Sequence, residues 1–264
     1  CPVDWSHPLN LGLVGCWMSP PNSGWRGGVT LRDLVRGGRN PHDGTLSGSS
    51  INWKGAGGRP GGYGSLVWAS TTPFVTLGGG SAFDVATGDF SFALWATITG
   101  STAALALCKT TGSGTKGYDL LLNSGNVGGN IWFRLNSGSA GVLVAGTGVN
   151  DGAWHHWICT RVGATCAMYF DGRLLSTSGA GGIDISNTSA PLTLGGRNGS
   201  GFAVAGFRID DVRLYPAKGL SAGEAFALYD QSRRGHPDTM RWLPTRAFFG
   251  PQAAAGAFQP AWAA

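Results

Sequence analysis

Glycine fills 46 of the 264 positions, against about 7% in ordinary chains, and no other feature narrows the possible folds as much. Each glycine costs a helix interior about 1 kcal/mol relative to alanine, so long helices are disfavoured throughout. The glycines follow no G-X-Y period, which excludes a collagen-like rod. Hydrophobic residues make up 42% of the chain, too many for a disordered polymer. With 11 Trp and 12 Phe, a core of normal size can be buried. What remains is a chain of many short strands joined by turns.

The pattern along the chain agrees. After a Pro-, Gly- and Asn-punctuated opening over residues 1–60, short apolar segments recur at 74–77, 90–98, 103–108, 118–122, 131–135, 142–145, 154–161, 165–170, 192–194 and 203–215. Their spacing, mostly about 10 to 15 residues, marks an antiparallel sandwich or barrel. In the 90–98 segment Phe90, Phe92 and Leu94 share one face and Trp95 takes the other. In the 203–215 segment the alternation changes phase at Asp210-Asp211, which predicts a bulge. One stretch reads as a helix: Ser221 as N-cap with Glu224 three residues on forms a capping box. Phe226 and Tyr229, three apart, are expected to dock it on a sheet. Beyond residue 230 a polar stretch leads into an apolar, Ala-rich tail containing Trp242, Phe248, Phe249, Phe258 and Trp262. Such a tail does not compensate its own ordering entropy in water, so residues 231–264 are expected to pack on a neighbouring subunit or on the sandwich.

Charge is sparse, at 12% of residues. The 15 Arg and 4 Lys give a net charge of +5 with no basic run or stripe, which speaks against nucleic acid. Of the 14 acidic residues 13 are Asp, and Glu224 is the solitary Glu. No apolar run approaches the ~18 residues a membrane helix needs. Five cysteines, Cys1, Cys16, Cys108, Cys159 and Cys166, are unevenly spaced and form no C-x-x-C, so neither a disulfide framework nor a zinc site is expected. Cys159 and Cys166 flank the Val162-Gly163 turn, and a cross-strand bridge is the open alternative to two buried thiols. The thiol pattern without a signal peptide suggests folding in a reducing cytoplasm, with Cys1 exposed by loss of the initiator Met.

Several segments resemble one family. Phe90-Ser-Phe-Ala-Leu-Trp95 resembles the "F-t-x-x-x-W" strand of laminin-G-like domains in the concanavalin A-like jelly-roll superfamily. Asp151-Gly-Ala-Trp-His-His-Trp157 is similar to its "D-G-x-W-H-H-V" strand, and Tyr169-Phe-Asp-Gly172 to its "Y-x-D-G" turn. Asp210-Asp-Val-Arg-Leu-Tyr215 and Leu220-Ser-Ala-Gly-Glu224 resemble the closing "D-D-V-R-I-Y" and "L-S-x-x-E-I" segments. Leu31-Arg-Asp-Leu34 and Asn40-Pro-His-Asp-Gly-Thr-Leu46 resemble the opening. The implied fold is all-β, a two-sheet antiparallel jelly-roll sandwich with one short C-terminal helix and an extended tail. The implied organisation is a jelly roll over 1–230 and an extension over 231–264. Most matched residues have scaffold readings, and Asp211 is expected to hold Arg213 or a turn.

Four functions compete for these residues. The superfamily's glucanases carry two glutamates for hydrolysis, because a retaining mechanism places two carboxyls about 5 Å apart. One Glu, already assigned to a cap, excludes that pair, and Asp210 and Asp211 are expected to point to opposite faces, so no enzyme is expected. Calcium, which many relatives bind at the sandwich rim, would take Asp33, Asn40, Asp43 and Asp211 as ligands; the competing reading is that they satisfy backbone amides, and no cofactor is expected. Trp25, Trp53, Tyr63 and Trp68 are expected to lie in Gly-rich loops and are candidate platforms for a glycan. The last reading is a structural subunit. The chain resembles laminin-G-like proteins of tailed phages, which implies a non-enzymatic virion component, such as a capsid decoration, on the virion surface. It would meet other virion subunits or itself through the tail. The alternative is a secreted carbohydrate-binding module, extracellular in location.

Overall fold

The computed structural model describes residues 6–18, 30–31, 33–35, 42–54, 58–62, 64–112, 115–136, 140–179, 181–197 and 199–234, without the side chains of 53 and 54. The strands, in chain order, are β1 (Gly15–Trp17), β2 (Thr30–Leu31), β3 (Gly44–Ser47), β4 (Ile51–Lys54), β5 (Ser65–Trp68) and β6 (Phe74–Thr76). Then come β7 (Phe90–Thr97), β8 (Ala104–Lys109), β9 (Tyr118–Leu122), β10 (Ile131–Leu135), β11 (Ala140–Val144) and β12 (His155–Val162). The last are β13 (Thr165–Phe170), β14 (Arg173–Ser178), β15 (Thr193–Leu194), β16 (Gly196–Arg197), β17 (Ser200–Gly201) and β18 (Arg208–Tyr215), and helix α1 (Ala222–Arg233) closes the order.

Sixteen of these strands form two antiparallel eight-stranded sheets, and β16 and β17 pair as a separate hairpin. The first runs β14-β13-β12-β7-β18-β5-β4, with β1 also on β18; the second runs β11-β10-β9-β8-β15-β6-β3-β2. Period-2 alternation decides what lies between them. Phe90, Phe92 and Leu94 of β7 meet Tyr118, Leu120 and Leu122 of β9 and Ile131, Phe133 and Leu135 of β10 in one buried cluster. Phe90 and Tyr118 pack at 4.8 Å, and Phe92 meets Phe133 edge-on at 5.6 Å. Removing one such ring costs about 3–5 kcal/mol, so these pairs hold the sheets face to face.

The outer face of the first sheet is covered rather than solvated. Ala93, Ile158, Ala167, Tyr169 and Tyr215 lie under Leu9, Leu13, Leu34, Leu220 and the α1 residues Ala225 and Leu228. The helix starts where the sequence indicates. Ser221 Oγ accepts from Glu224 N, and the Glu224 carboxylate accepts from Ser221 N at 2.9 Å. Its docking face differs from the one expected: Phe226 is 55% exposed, and Ala225 and Leu228 face the sheet. Tyr229 does reach inward, stacking on Trp95 at 5.8 Å.

Two turns show the local chemistry. Asp171 and Gly172, between β13 and β14, both take positive φ (48° and 77°), the backbone a two-residue hairpin demands. A side chain at Gly172 would also strike the Tyr229 ring, 2.7 Å from the added carbon. In β18 the register against β7 shifts between Asp210 and Arg213, and Asp211 adopts φ 49°. This is the bulge expected from the phase change. Its consequence is a correction, because the extra residue turns Asp210 and Asp211 the same way. Asp210 Oδ2 lies 3.1 Å from Arg59 Nε, and Asp211 Oδ2 lies 3.2 Å from Arg59 Nη2.

Candidate functional site

The residues singled out in sequence scatter. Trp25 and Tyr63 lie outside the described residues, as do Cys1, Asn40 and the tail residues Trp242, Phe248, Phe249, Phe258 and Trp262. Trp53 is on β4, and its side chain is likewise outside them. Trp68 is no loop platform: it sits on β5, fully buried, with Nε1 donating to Pro73 O at 3.0 Å. The glycine that matters to it belongs to another part of the chain and presses on the ring, since a carbon added to Gly195 would lie 2.5 Å from the indole.

Of the proposed calcium ligands, Asp33, Asp43 and Asp211 are described, and each is engaged within the protein. Asp33 is buried, and its carboxylate accepts from the amides of Cys16, Val35 and His42 at 3.0, 3.0 and 3.2 Å. Burial pushes its pKa up against the opposing pull of those amides. Asp43 Oδ1 accepts from Asp33 N at 2.8 Å. Asp211 is fully buried on Arg213, at 2.7 Å from Nε, and on Arg59. Burial alone would raise its pKa, but Arg213 and Arg59 outweigh it and hold the carboxyl down at about 2. Asp33 and Asp211 thus serve separate anchor points rather than one cation, and among the described residues no three His, Cys, Asp or Glu side chains cluster as metal ligands. Cys159 and Cys166 do not face each other: Cys159 pairs with Met168, and Cys166 with Arg161. Both are free and buried, and burial pushes the Cys166 thiol up to about 11.

A different surface has the makings of a site. The two-stranded hairpin β16-β17 stands beside the second sheet, joined to β8 by Leu105 N donating to Phe202 O at 2.7 Å and by Gly195 N donating to Leu105 O at 3.0 Å. Gly201 passes so close to Thr71 and Thr72 that an added carbon would lie 2.2 Å from Thr72 O. Between the hairpin and the loops after β5, β7 and β9 lies a cleft of about 530 Å³, lined by Thr71, Thr72, Thr102, Asn126, Ser200 and Phe202 among others. Its size falls in the usual range for small-ligand sites. The lining holds hydroxyls, an amide and backbone groups but no charged side chain. Phe202 presents an aromatic face, 46% exposed.

From the hairpin an apolar row continues across the sheet. Register aligns Leu105, Leu121, Trp132 and Leu143 on adjacent strands β8, β9, β10 and β11. A bulge between Leu105 and Leu107 turns Leu105 to this outer face while Leu107 joins the core. Trp132 is half-buried, and Leu143 is exposed. The next row carries Arg134 opposite Asp119, an ion pair at 2.6 Å. The sequence marks the 131–135 strand but not the part of it that matters here: Trp132 and Arg134 have the parity opposite to the core residues Ile131, Phe133 and Leu135. An outward Trp on a strand was the available signal. Phe202 and Arg197 gave none, because only the folded hairpin brings them onto the sheet.

A laminin-G family model, described as the Concanavalin A-like lectin/glucanases superfamily, matches residues 69–224. No curated protein matches the chain in sequence. Among solved structures, the binding domain of Paraclostridial Mosquitocidal Protein 1 superposes with a TM-score of 0.61 at 17% identity, over 85% of this chain and 53% of that one. The receptor binding domain of botulinum neurotoxin D gives 0.60 at 12% identity, over 85% and 54%. The binding domain of botulinum neurotoxin DC in complex with SialylT gives 0.59 at 14%, over 84% and 52%. The chain therefore spans about half the length of these toxin domains, and at such identity the likeness establishes the fold alone. With two antiparallel sheets, one short capped helix and a family match over more than half its length, the chain belongs to the laminin-G branch of the concanavalin A-like lectin/glucanase superfamily.

Proposed function

We propose that this chain is a non-catalytic carbohydrate-binding module that takes its ligand in the cleft beside the β16-β17 hairpin. The observation that carries the reading is the cleft's composition: hydroxyls, an amide and backbone groups around one exposed phenyl face, with no charged side chain in the lining. Sugars present alternating hydroxyls and apolar C–H faces, which such a lining matches with hydrogen bonds and ring contact. The structural neighbours include toxin binding domains in complex with SialylT and with N-acetylneuraminic acid, which supports a glycan as ligand class.

The adjacent Asp210 and Asp211 offer a hydrolytic role no accessible acid pair. Asp210 and Asp211 stand together but are at most 4% exposed and are neutralised by Arg59 and Arg213. The expectation of a virion-surface role rests on the resemblance to phage proteins, the thiol pattern and a tail that lies outside the described residues; the lining of the cleft supports the glycan module. A glycan partner is compatible with either location, virion surface or extracellular.

A glycan array, with titration of the best binder, tests the proposal. Phe202→Ala is expected to weaken binding by about tenfold, the equivalent of losing an aromatic contact. An array on which nothing binds, or a Phe202→Ala protein that binds as the parent does, would sink it.

A further inference from the structure

The hairpin that walls the cleft also carries Arg197, on β16. Its guanidinium reaches back over the outer face of the second sheet, where Nη2 lies 3.9 Å from Asp119 Oδ2. That carboxylate is already engaged. Arg134 holds both of its oxygens, through Nε at 2.6 Å and Nη2 at 2.8 Å, the bidentate pairing in which guanidinium and carboxylate fit best. Two guanidiniums thus share one carboxylate, and the better contacts belong to Arg134. Arg197 Nε makes no hydrogen bond, so the side chain is held by a long charge contact. Swinging it toward an incoming anion breaks no hydrogen bond of the protein. On the same face Trp132 stands next to Arg134, whose guanidinium carbon is 5.6 Å from the ring centroid.

We infer that Arg197 recognises the acid group, a carboxylate or a sulfate, of an acidic glycan. This rests on the glycan-binding reading and makes it narrower. The uncharged cleft holds the neutral part of the ligand, and the excess positive charge on the adjoining face selects for acid-bearing chains. Asp119 keeps Arg134 in place and leaves Arg197 as the responsive partner. Two clustered arginines without a basic stripe suit one acid group rather than a polyanion.

The test uses glycans arrayed as matched pairs: uronate-containing, sialylated or sulfated members, each beside the neutral form lacking the acid. The parent protein is expected to bind acid members at least about tenfold more tightly, with the carboxylate and sulfate arms showing which acid is preferred. Arg197→Gln is expected to equalise the pairs without weakening the neutral members, whereas Phe202→Ala weakens both. If the parent binds both members of each pair equally, or if Arg197→Gln keeps the acid preference, the inference is overturned and the glycan reading stands. If no glycan of either kind binds, both fall. The comparison of pairs on the parent protein needs no variant, so a misfolded Arg197→Gln does not protect the idea.

Discussion

His156 points from β12 toward the rings of Trp95 and Tyr229, at 5.1 and 6.0 Å, with Nδ1 buried and unbonded. Burial pushes its pKa down to about 3. His155, one residue away, faces outward between two carboxylates, with Nδ1 2.8 Å from Asp171 and Nε2 3.3 Å from Asp151. Its burial works against protonation, but Asp171 and Asp151 outweigh it and hold the pKa above the usual histidine value. The two therefore respond oppositely to acid. As pH falls from about 6.5 toward 3, the unfolded chain protonates position 156 before the folded one does, so His156 costs stability in that window. His155 contributes stability at pH below about 6.5 and loses it as pH rises through its raised folded value. Melting temperatures measured from pH 8 to pH 4 are expected to show this. His156→Phe should flatten the acid-side decline, and His155→Asn should lower the melting temperature more at pH 5.5 than at pH 8. Identical pH profiles for the parent and His156→Phe would contradict the assignment.

Among the elements, α1 is held by a cap that can be removed by itself. Ser221→Ala leaves the amide of Glu224 without its acceptor and should cost about 1 kcal/mol in denaturant unfolding; a loss below a few tenths would mean the cap is redundant with the packing of Leu228. Much at this scale was legible in the sequence. β9, β10 and β13 begin and end where the apolar segments 118–122, 131–135 and 165–170 do, because turn residues interrupt the chain around each. The helix start was legible because a capping box is a local signal. The helix's docking face was not: spacing three apart places Phe226 and Tyr229 near one another but leaves open which flank meets the sheet, and Ala225 and Leu228 won that contact. Trp68 was misplaced for a related reason. Glycines near it in sequence suggested a loop, whereas the glycine that matters, Gly195, arrives from far along the chain to lie against its indole. The bulge at Asp210 was readable and its effect was not, since only the folded register shows both carboxylates converging on Arg59. The cleft was the least legible part, because the outermost of the segments that shape it are separated in sequence by more than a hundred residues.

Over the whole molecule, one buried polar network ties distant parts of the chain. Arg59 bonds Asp210 and Asp211 on β18 and donates to Ser232 O at the end of α1, while Ser232 Oγ accepts from Trp95 Nε1 on β7 at 2.9 Å. Breaking a buried ion pair from one side costs about 3–5 kcal/mol, because the partner charges remain without compensation. Asp211→Asn should therefore lower stability by about that amount in urea unfolding, with a single transition of unchanged slope; a second transition would show the helix separating from the sandwich by itself. The same layering sets the two outer faces apart. The first sheet is covered by α1, whereas the cleft and Arg197 belong to the second. Under the proposed function, a module mounted through the α1 side would show its glycan cleft away from the mount. Copies mounted side by side would then engage a sugar-coated surface together, gaining avidity from number where each single contact is weak.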